Sequence, residues 1–449
     1  MSYSNFPSDF VSRVLQDDFL EGEKLLIALE KNVPISIRLN NLKKKELDFP
    51  LKIEIPWCND AFYLTERPQY TLDPLFHSGT YYPQEAGSMF LDAVLTELTL
   101  PEEIKTLDLC AAPGGKSTLI ANFLKGNGLL VSNEVIQSRA KILKENLTKW
   151  GANNTIVTNN DPADFQRINN YFDVIVVDAP CSGEGMFRKD IDARNEWSNA
   201  NVELCTGRQR RIVMDVWDSL KNGGYLIYST CTFNSSENED NINWFLQELD
   251  AELIHIKSED LPRGRKKIGH YGLPSIVDTE GFFIAVIQKK GEPSPSKLTI
   301  KSKGELLKIK DKTQFSNYCK TEGQTFFQWK EFIFAFPEKY ADDIFYLHHH
   351  LKTIKLGTEI GEFTRKGWNP KEGLALNPTL LTENTQTIEV TREEALSYLH
   401  GDTFTLSGQL GFQLLTYKNQ PLGWIKHLGN RFNNLYPKDW RIRMRIDKK

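Results

Sequence analysis

Paired cysteines are missing from this chain. Its six cysteines, Cys58, Cys110, Cys181, Cys205, Cys231 and Cys319, form no CxxC pair, and no histidine cluster stands beside them. That spacing argues against a zinc site and for a reducing compartment. The one dense histidine tract, His348, His349 and His350, reads as a helix end or loop cluster and not as a metal site. No apolar run is long enough to span a bilayer. The N-terminal MSYSNFPSDF lacks the basic-then-apolar layout of a secretion signal. A cytoplasmic protein with no membrane and no metal partner is the expectation. An overall positive charge is missing too: the net charge of −4 excludes a uniformly basic nucleic-acid binder. Two phosphate-binding fingerprints are also absent. GGKST at 114–118 looks like a phosphate loop, but GxxxxGK[ST] needs a glycine where Cys110 stands, and GxGxxG does not occur. A nucleotide hydrolase built on GGKST therefore fails at Cys110.

What is present is an ordinary composition, 40% hydrophobic and 25% charged, on 449 residues. That length suits about three domains. The chain is organised around FDVIVVDAPCSGEGMFRKD, residues 172–190. Val174, Ile175, Val176 and Val177 suit a strand buried on both faces, as in a parallel sheet. Pro180 has no amide to donate, so the strand should stop at Asp178. Asp178 and Cys181 then stand at the carboxyl end of a central strand, the edge where open α/β sheets bind ligands.

Residues 1–75 read as a small α/β module. Phe10, Val11, Val14 and Leu15 share one helical face, Leu25, Leu26 and Leu29 share another, and PISIRLN forms a strand. A helix carrying Leu91, Val94 and Leu95 follows. Over 76–290 the runs KTLDLC, GLLVSNEV, NNTIVTNND, FDVIVVDAP, GGYLIYSTC and GFFIAVIQKK alternate with helical patterns. Such alternation predicts a doubly wound, mostly parallel sheet. GFFIAVIQKK follows a long irregular segment and is the expected antiparallel strand. GEPSPSK opens a linker, 291–305. A middle region, 306–379, and a last unit, 380–449, remain. In the latter GFQLLTYKNQPLGWIKHL reads as a hairpin turning at KNQ.

The turn in LDLCAAPGGKST is built from Cys110, Ala111, Ala112, Pro113, Gly114 and Gly115, followed by Lys116. Small residues there let backbone approach a ligand that lacks a pyrophosphate. Glu134 closes the second strand, where an acid accepts hydrogen bonds from ribose hydroxyls. Asp161 closes the third and suits an adenine amino group. One strand-end acid is more often a helix cap; two in succession after a glycine turn favour a nucleoside ligand. DAPC and STC close the fourth and fifth strands and should bring Cys181 and Cys231 together. A buried free cysteine is usually inert packing, and Cys58, Cys205 and Cys319 are read so. Two thiols at adjacent strand ends, one three residues after an aspartate, point to chemistry. A thiolate is a strong nucleophile once its pKa is lowered, here by Lys116 or a helix N-terminus.

DLCAAPGGK, NEV, DAPCSGEG and YSTCT, in that order, resemble the Nop/Sun family of RNA cytosine-C5 methyltransferases over roughly residues 75–290. GEGMFRKD and YYPQEAGSM look most like its bacterial small-subunit rRNA methyltransferase F branch. The chain ends resemble that branch's N-terminal RNA-binding module and C-terminal PUA-like domain more weakly. The resemblance implies a Rossmann-like class I methyltransferase sheet with S-adenosylmethionine at residues 110–116, Glu134, Asp161 and Asp178. It implies Cys231 as the thiol attacking C6 of a cytosine in RNA, and Cys181 as the thiol assisting release. Asp178 would bond the N3 or amino edge of the base and stabilise developing charge, with Lys116 orienting the base. A paired cytosine hides C6, so it must be flipped out or already single-stranded. DNA cytosine-C5 methyltransferases take their nucleophile from a PC motif, by which analogy Cys181 attacks; the STC motif favours Cys231.

The expected partner is rRNA or the small ribosomal subunit, met by a monomer. Lys43, Lys44 and Lys45, residues 263–267 and the C-terminal WRIRMRIDKK are the expected RNA path. The rival in the same class is a tRNA methyltransferase, since flanking domains choose the RNA. The rival of another class is a non-catalytic ribosome-assembly factor, against which Cys231, Cys181 and Asp178 stand.

Overall fold

The computed structural model describes residues 4–43, 46–292, 298 and 305–446. Most of the expected linker at 291–305 lies outside the described residues, as do Lys44, Lys45 and 447–449. Two helices, Ser8–Gln16 and Gly22–Leu29, open the chain. They precede a small antiparallel sheet ordered β2-β3-β1-β4, with β1 Ile35–Leu39, β2 Ile53–Glu54, β3 Ala61–Leu64 and β4 Tyr81–Pro83.

The central sheet comprises β5 (Lys105–Asp108), β6 (Leu129–Asn133), β7 (Thr155–Thr158), β8 (Phe172–Asp178), β9 (Leu220–Thr230), β10 (Ala251–Ile254), β11 (His270–Gly272) and β12 (Phe282–Lys289). Its order is β10-β12-β9-β8-β5-β6-β7, with β11 on β12. The five strands from β9 to β7 run parallel, and β12 lies antiparallel to β9, as expected of GFFIAVIQKK. The β-branched run of β8 feeds both faces. Ile175 and Val177 enter the core with Phe10, Leu25 and Phe187; Val174 and Val176 enter the opposite core with Phe90, Leu91 and Ile120. Each such side chain taken fully from water contributes about 1.5–3 kcal/mol, so a polar substitution in this run would break the sheet's centre.

Beyond the linker come β13 (Leu306–Ile309), β14 (Gln324–Trp329), β15 (Phe332–Pro337) and the helix Ala341–His350, which ends in the histidine tract. The next strand, β16 (Thr353–Leu356), leaves this region and pairs antiparallel with β7. Thus a C-terminal segment closes an edge that the sequence pattern left open. With β17 (Thr358–Thr364) and β18 (Gly367–Pro370) the remainder forms a sheet ordered β13-β14-β15-β17-β18.

The last unit holds β19 (Thr387–Glu389), β20 (Gly411–Tyr417), β21 (Gln420–His427) and β22 (Phe432–Asn434). Its helix Arg392–His400 starts on a capping box: Glu394 N donates to Thr391 Oγ1 at 3.3 Å, and Thr391 N donates to Glu394 Oε2 at 2.9 Å. The hairpin turns at Lys418 and Asn419, both left-handed (φ 50° and 58°). The two ends of the chain share a core: Ile37 and Leu39 of β1 pack with Leu396, Leu415 and Ile425.

Two expected RNA contacts are corrected. Lys43 is buried, and its ammonium donates to the carbonyls of Ser78 and Lys149. Burial pushes its pKa down to about 7. Arg265 is turned inward, bridging Asp17 and Glu239 against the rings of Phe19 and Tyr271. A run of like charges in sequence does not reveal which members the fold desolvates.

Candidate active site

β5 ends at Asp108, and the chain turns through 109–114 into the helix Gly115–Leu124. Gly114 has φ +120°, and a Cβ there would come 3.3 Å from Leu143. Ala112–Pro113 is a cis peptide. The carbonyls of Ala112 and Pro113 accept from Arg139 and Asn146, each at 2.8 Å, and Ala111 N donates to Asn133 O at the end of β6. Against Gly115 lie Tyr82 and Gln84 of YYPQEAGSM. The small-residue turn therefore forms a cradle over the ends of β5 and β6.

Acids ring that cradle. Glu134 is buried; its Oε1 accepts from Ile136 N at 2.9 Å and its Oε2 lies 3.4 Å from Arg139. Asp161 caps the turn that follows β7, accepting from Ala163 N at 3.1 Å, so it also fills the bland role of a helix cap. Asp178 pairs with Lys116, Nζ to Oδ2 at 2.8 Å, and its Oδ1 accepts from Ser229 Oγ at 2.9 Å. The ammonium of Lys116 also lies 4.8 Å from the centre of the Phe282 ring.

Cys181 and Cys231 meet because β8 and β9 are neighbours in parallel register, Asp178 opposite Ser229. Their Sγ atoms are 3.0 Å apart, and Cys231 N donates to Cys181 Sγ at 3.3 Å. Both side chains are half-buried. The Cys181 thiol is pushed well above its ordinary value by its hydrogen bond to Cys231, then by burial. Lys116 was expected to lower a thiol here; it is instead spent on Asp178. Cys110 sits behind the cradle, its pKa raised by burial and by Asp178. Cys58, Cys205 and Cys319 are buried, Cys205 near Glu237.

Sequence reasoning does not single out three acids that the fold brings here. Asp108 is fully buried; its Oδ2 accepts from Ser117 Oγ at 2.6 Å, while its Oδ1 has no partner among the described residues. Burial pushes its pKa up to about 7, opposed by Ser117 and Lys116. A buried oxygen without a donor is costly, so the cradle suits a ligand that brings donors or positive charge. Glu184 and Glu237 are buried beneath the sulfurs. Asp108 had a readable signal, an acid at the end of the first strand. Glu184 lay inside DAPCSGEG without an assigned role.

A parallel sheet of this strand order, with a glycine turn after its first strand and ligand-facing acids at the next strand ends, defines a class I S-adenosylmethionine-dependent methyltransferase fold. The chain belongs to the small-subunit rRNA methyltransferase F family. Residues 95–288 match the model described as 16S rRNA methyltransferase RsmB/F, 6–86 the N-terminal domain of 16S rRNA methyltransferase RsmF, and 385–442 the methyltransferase RsmF PUA domain. The Ribosomal RNA small subunit methyltransferase F of Shewanella piezotolerans is 31% identical over 97% of both chains. That of Escherichia coli O157:H7 is 30% identical over 97% of this chain and 96% of its own. Among solved structures, a methyltransferase homolog protein from Pyrococcus horikoshii superposes with TM-score 0.54 and 29% identity, covering 63% of this chain and 95% of its own. NSun6 from Pyrococcus horikoshii with SFG shares the fold at TM-score 0.56 and 20% identity, over 65% of this chain and 100% of its own. The protein is thus a methyltransferase of the small-subunit rRNA family. No helix among the described residues is long and apolar enough to cross a membrane.

Proposed function

We propose that the protein transfers a methyl group from S-adenosylmethionine to C5 of a cytosine in small-subunit rRNA, through a bond between Cys231 Sγ and C6. The cradle supports the cofactor assignment. Asp108, Glu134, Asp161 and Asp178 offer acceptors to a ligand whose ammonium, ribose hydroxyls and adenine amine are donors, and residues 110–116 leave room for it. When bound, S-adenosylmethionine supplies an electrophilic methyl group.

C5 of cytosine is a poor nucleophile. Addition of the Cys231 thiolate to C6 turns the ring into an enamine, and the electron pair at C5 then takes the methyl group. Asp178, braced by Lys116 and Ser229, meets the N3 or amino edge and stabilises the charge that develops there. Loss of the C5 proton to water and expulsion of Cys231 as a thiolate restore the double bond, with Cys181 at 3.0 Å assisting release. That separation between the two sulfurs, beside the Lys116–Asp178 pair, is the observation that carries the reading. In the same reading, 1–75 is an RNA-binding module, 76–290 the methyltransferase domain, 306–379 a middle region and 380–449 a PUA-like domain of a cytoplasmic monomer.

The test is methyl transfer from labelled cofactor to naked rRNA, isolated small subunits and tRNA in parallel, followed by bisulfite mapping of the product. Label in 5-methylcytosine of rRNA or subunits is expected. Label in tRNA would favour the rival substrate. Cofactor binding without transfer to any RNA would leave an assembly factor. The names of the full-length relatives favour rRNA.

A further inference from the structure

Glu184 ties together the two loops that carry the sulfurs. It follows Cys181 by three residues, and its side chain has no exposure. Four donors converge on it. Arg13 Nη2 (2.5 Å), Trp197 Nε1 (3.1 Å) and Asn234 Nδ2 (3.2 Å) reach Oε1, and Phe233 N (3.0 Å) reaches Oε2. Phe233 and Asn234 lie just after Cys231, so one carboxylate holds both cysteine loops. Glu237 repeats the tie, accepting from Ser182 N at 3.0 Å and from Asn234 Nδ2 at 2.7 Å. Gly185 N also donates to the carbonyl of Cys231 at 2.9 Å. The spacing of the sulfurs is therefore set by side chains as well as by strand register.

The cation in this arrangement comes from outside the methyltransferase sheet. Arg13 belongs to the helix Ser8–Gln16, 171 residues before Glu184. Phe10 of that helix packs edge-on against Phe187 and Trp197, at 4.9 and 5.7 Å between ring centres. The guanidinium of Arg13 is stacked 5.4 Å from Phe10 and 5.9 Å from Trp197. A buried carboxylate is tolerated when paired and fully hydrogen-bonded, and breaking such a pair is costly.

We infer that Arg13 and Glu184 are positioning residues for the two cysteines, which makes the N-terminal helix part of the catalytic apparatus. The inference rests on the proposed use of Cys231 and Cys181. Without the guanidinium, Glu184 is a buried carboxylate that has lost its charged partner, and its hold on Phe233 and Asn234 loosens. The sulfurs then lose their mutual geometry, while the cofactor cradle is untouched.

The experiment compares full-length Arg13→Met, Arg13→Lys and Glu184→Gln. Single-turnover formation of the RNA adduct is followed in a Cys181→Ser background, and kcat, KM for rRNA and cofactor affinity in the otherwise native chain. Arg13→Met is expected to slow adduct formation and kcat about tenfold or more, with cofactor affinity held within about twofold. Arg13→Lys should recover most of the rate. Should Glu184→Gln fail to fold, Arg13, whose side chain is 28% exposed, carries the test alone. An active wild type matched by Arg13→Met in kcat and in the rate of adduct formation, even with a lowered Tm, overturns the inference. A Cys181→Ser chain that forms no adduct on any RNA, with wild type that transfers no methyl group, overturns the methylation reading beneath it.

Discussion

Lys116 Nζ stands 2.8 Å from Asp178 Oδ2, joining the first residues of the helix after the cradle to the end of the central strand. The pair is only partly desolvated, since the Asp178 side chain is 37% exposed. Its worth is therefore in orientation more than in stability. Lys116→Met should lower kcat about a hundredfold, as loss of a preorganised electrostatic group does. Tm should move little. Steady-state methylation and thermal melting of the same preparation check both halves.

The sulfur pair makes opposite predictions for its two members. Cys181→Ser should accumulate a covalent RNA complex on a denaturing gel, because attack proceeds while release is impaired. Cys231→Ser should form none. An adduct in the Cys231 variant would exchange the roles.

Asp108 predicts a trade between stability and binding. Its pKa is about 7 in the fold against an ordinary 3.8. Between those values the folded chain keeps a proton that the unfolded chain releases, so this group's contribution to stability falls as pH rises from about 4 to about 7. Asp108→Asn removes that dependence. The variant should melt higher than wild type at about pH 8, yet bind S-adenosylmethionine about tenfold more weakly through loss of a charged acceptor. Calorimetric titration and melting across that pH range test the pair of outcomes.

Charge reversal in the C-terminal tail tests the RNA path. Arg443 is exposed, with Nη2 donating to Lys438 O at 3.1 Å. Arg441 instead packs its guanidinium against Gly401 and buries its Nε. Arg443→Glu should weaken rRNA binding and reduce the salt-dependence slope by about 1. Arg441→Glu should in addition lower Tm. Filter binding over a salt series separates them.

Much of this site can be read along the chain. The β-branched run from Val174, ended by Pro180, places Asp178 and Cys181 at a strand end, and STC does the same for Cys231. The turn at 110–116 announces itself by its small residues. These signals are local: backbone preference and side-chain alternation act over a few residues, so their spacing survives in one dimension. Asp108 was equally visible as a strand-end acid. Its missing hydrogen-bond partner was not, because partners come from Ser117 and the following strands.

The order of strands and helices, the stops that set two thiols and an aspartate on one edge, and the antiparallel β12 were determined by the sequence alone, through steric and solvation preferences each residue expresses with its near neighbours. The tertiary structure alone decided that Lys43 and Arg265 turn inward, that β16 returns to cover β7, and that Arg13 reaches across the molecule to Glu184. Desolvation and charge pairing depend on what packs against a group from distant parts of the chain, and no short stretch of sequence carries that information.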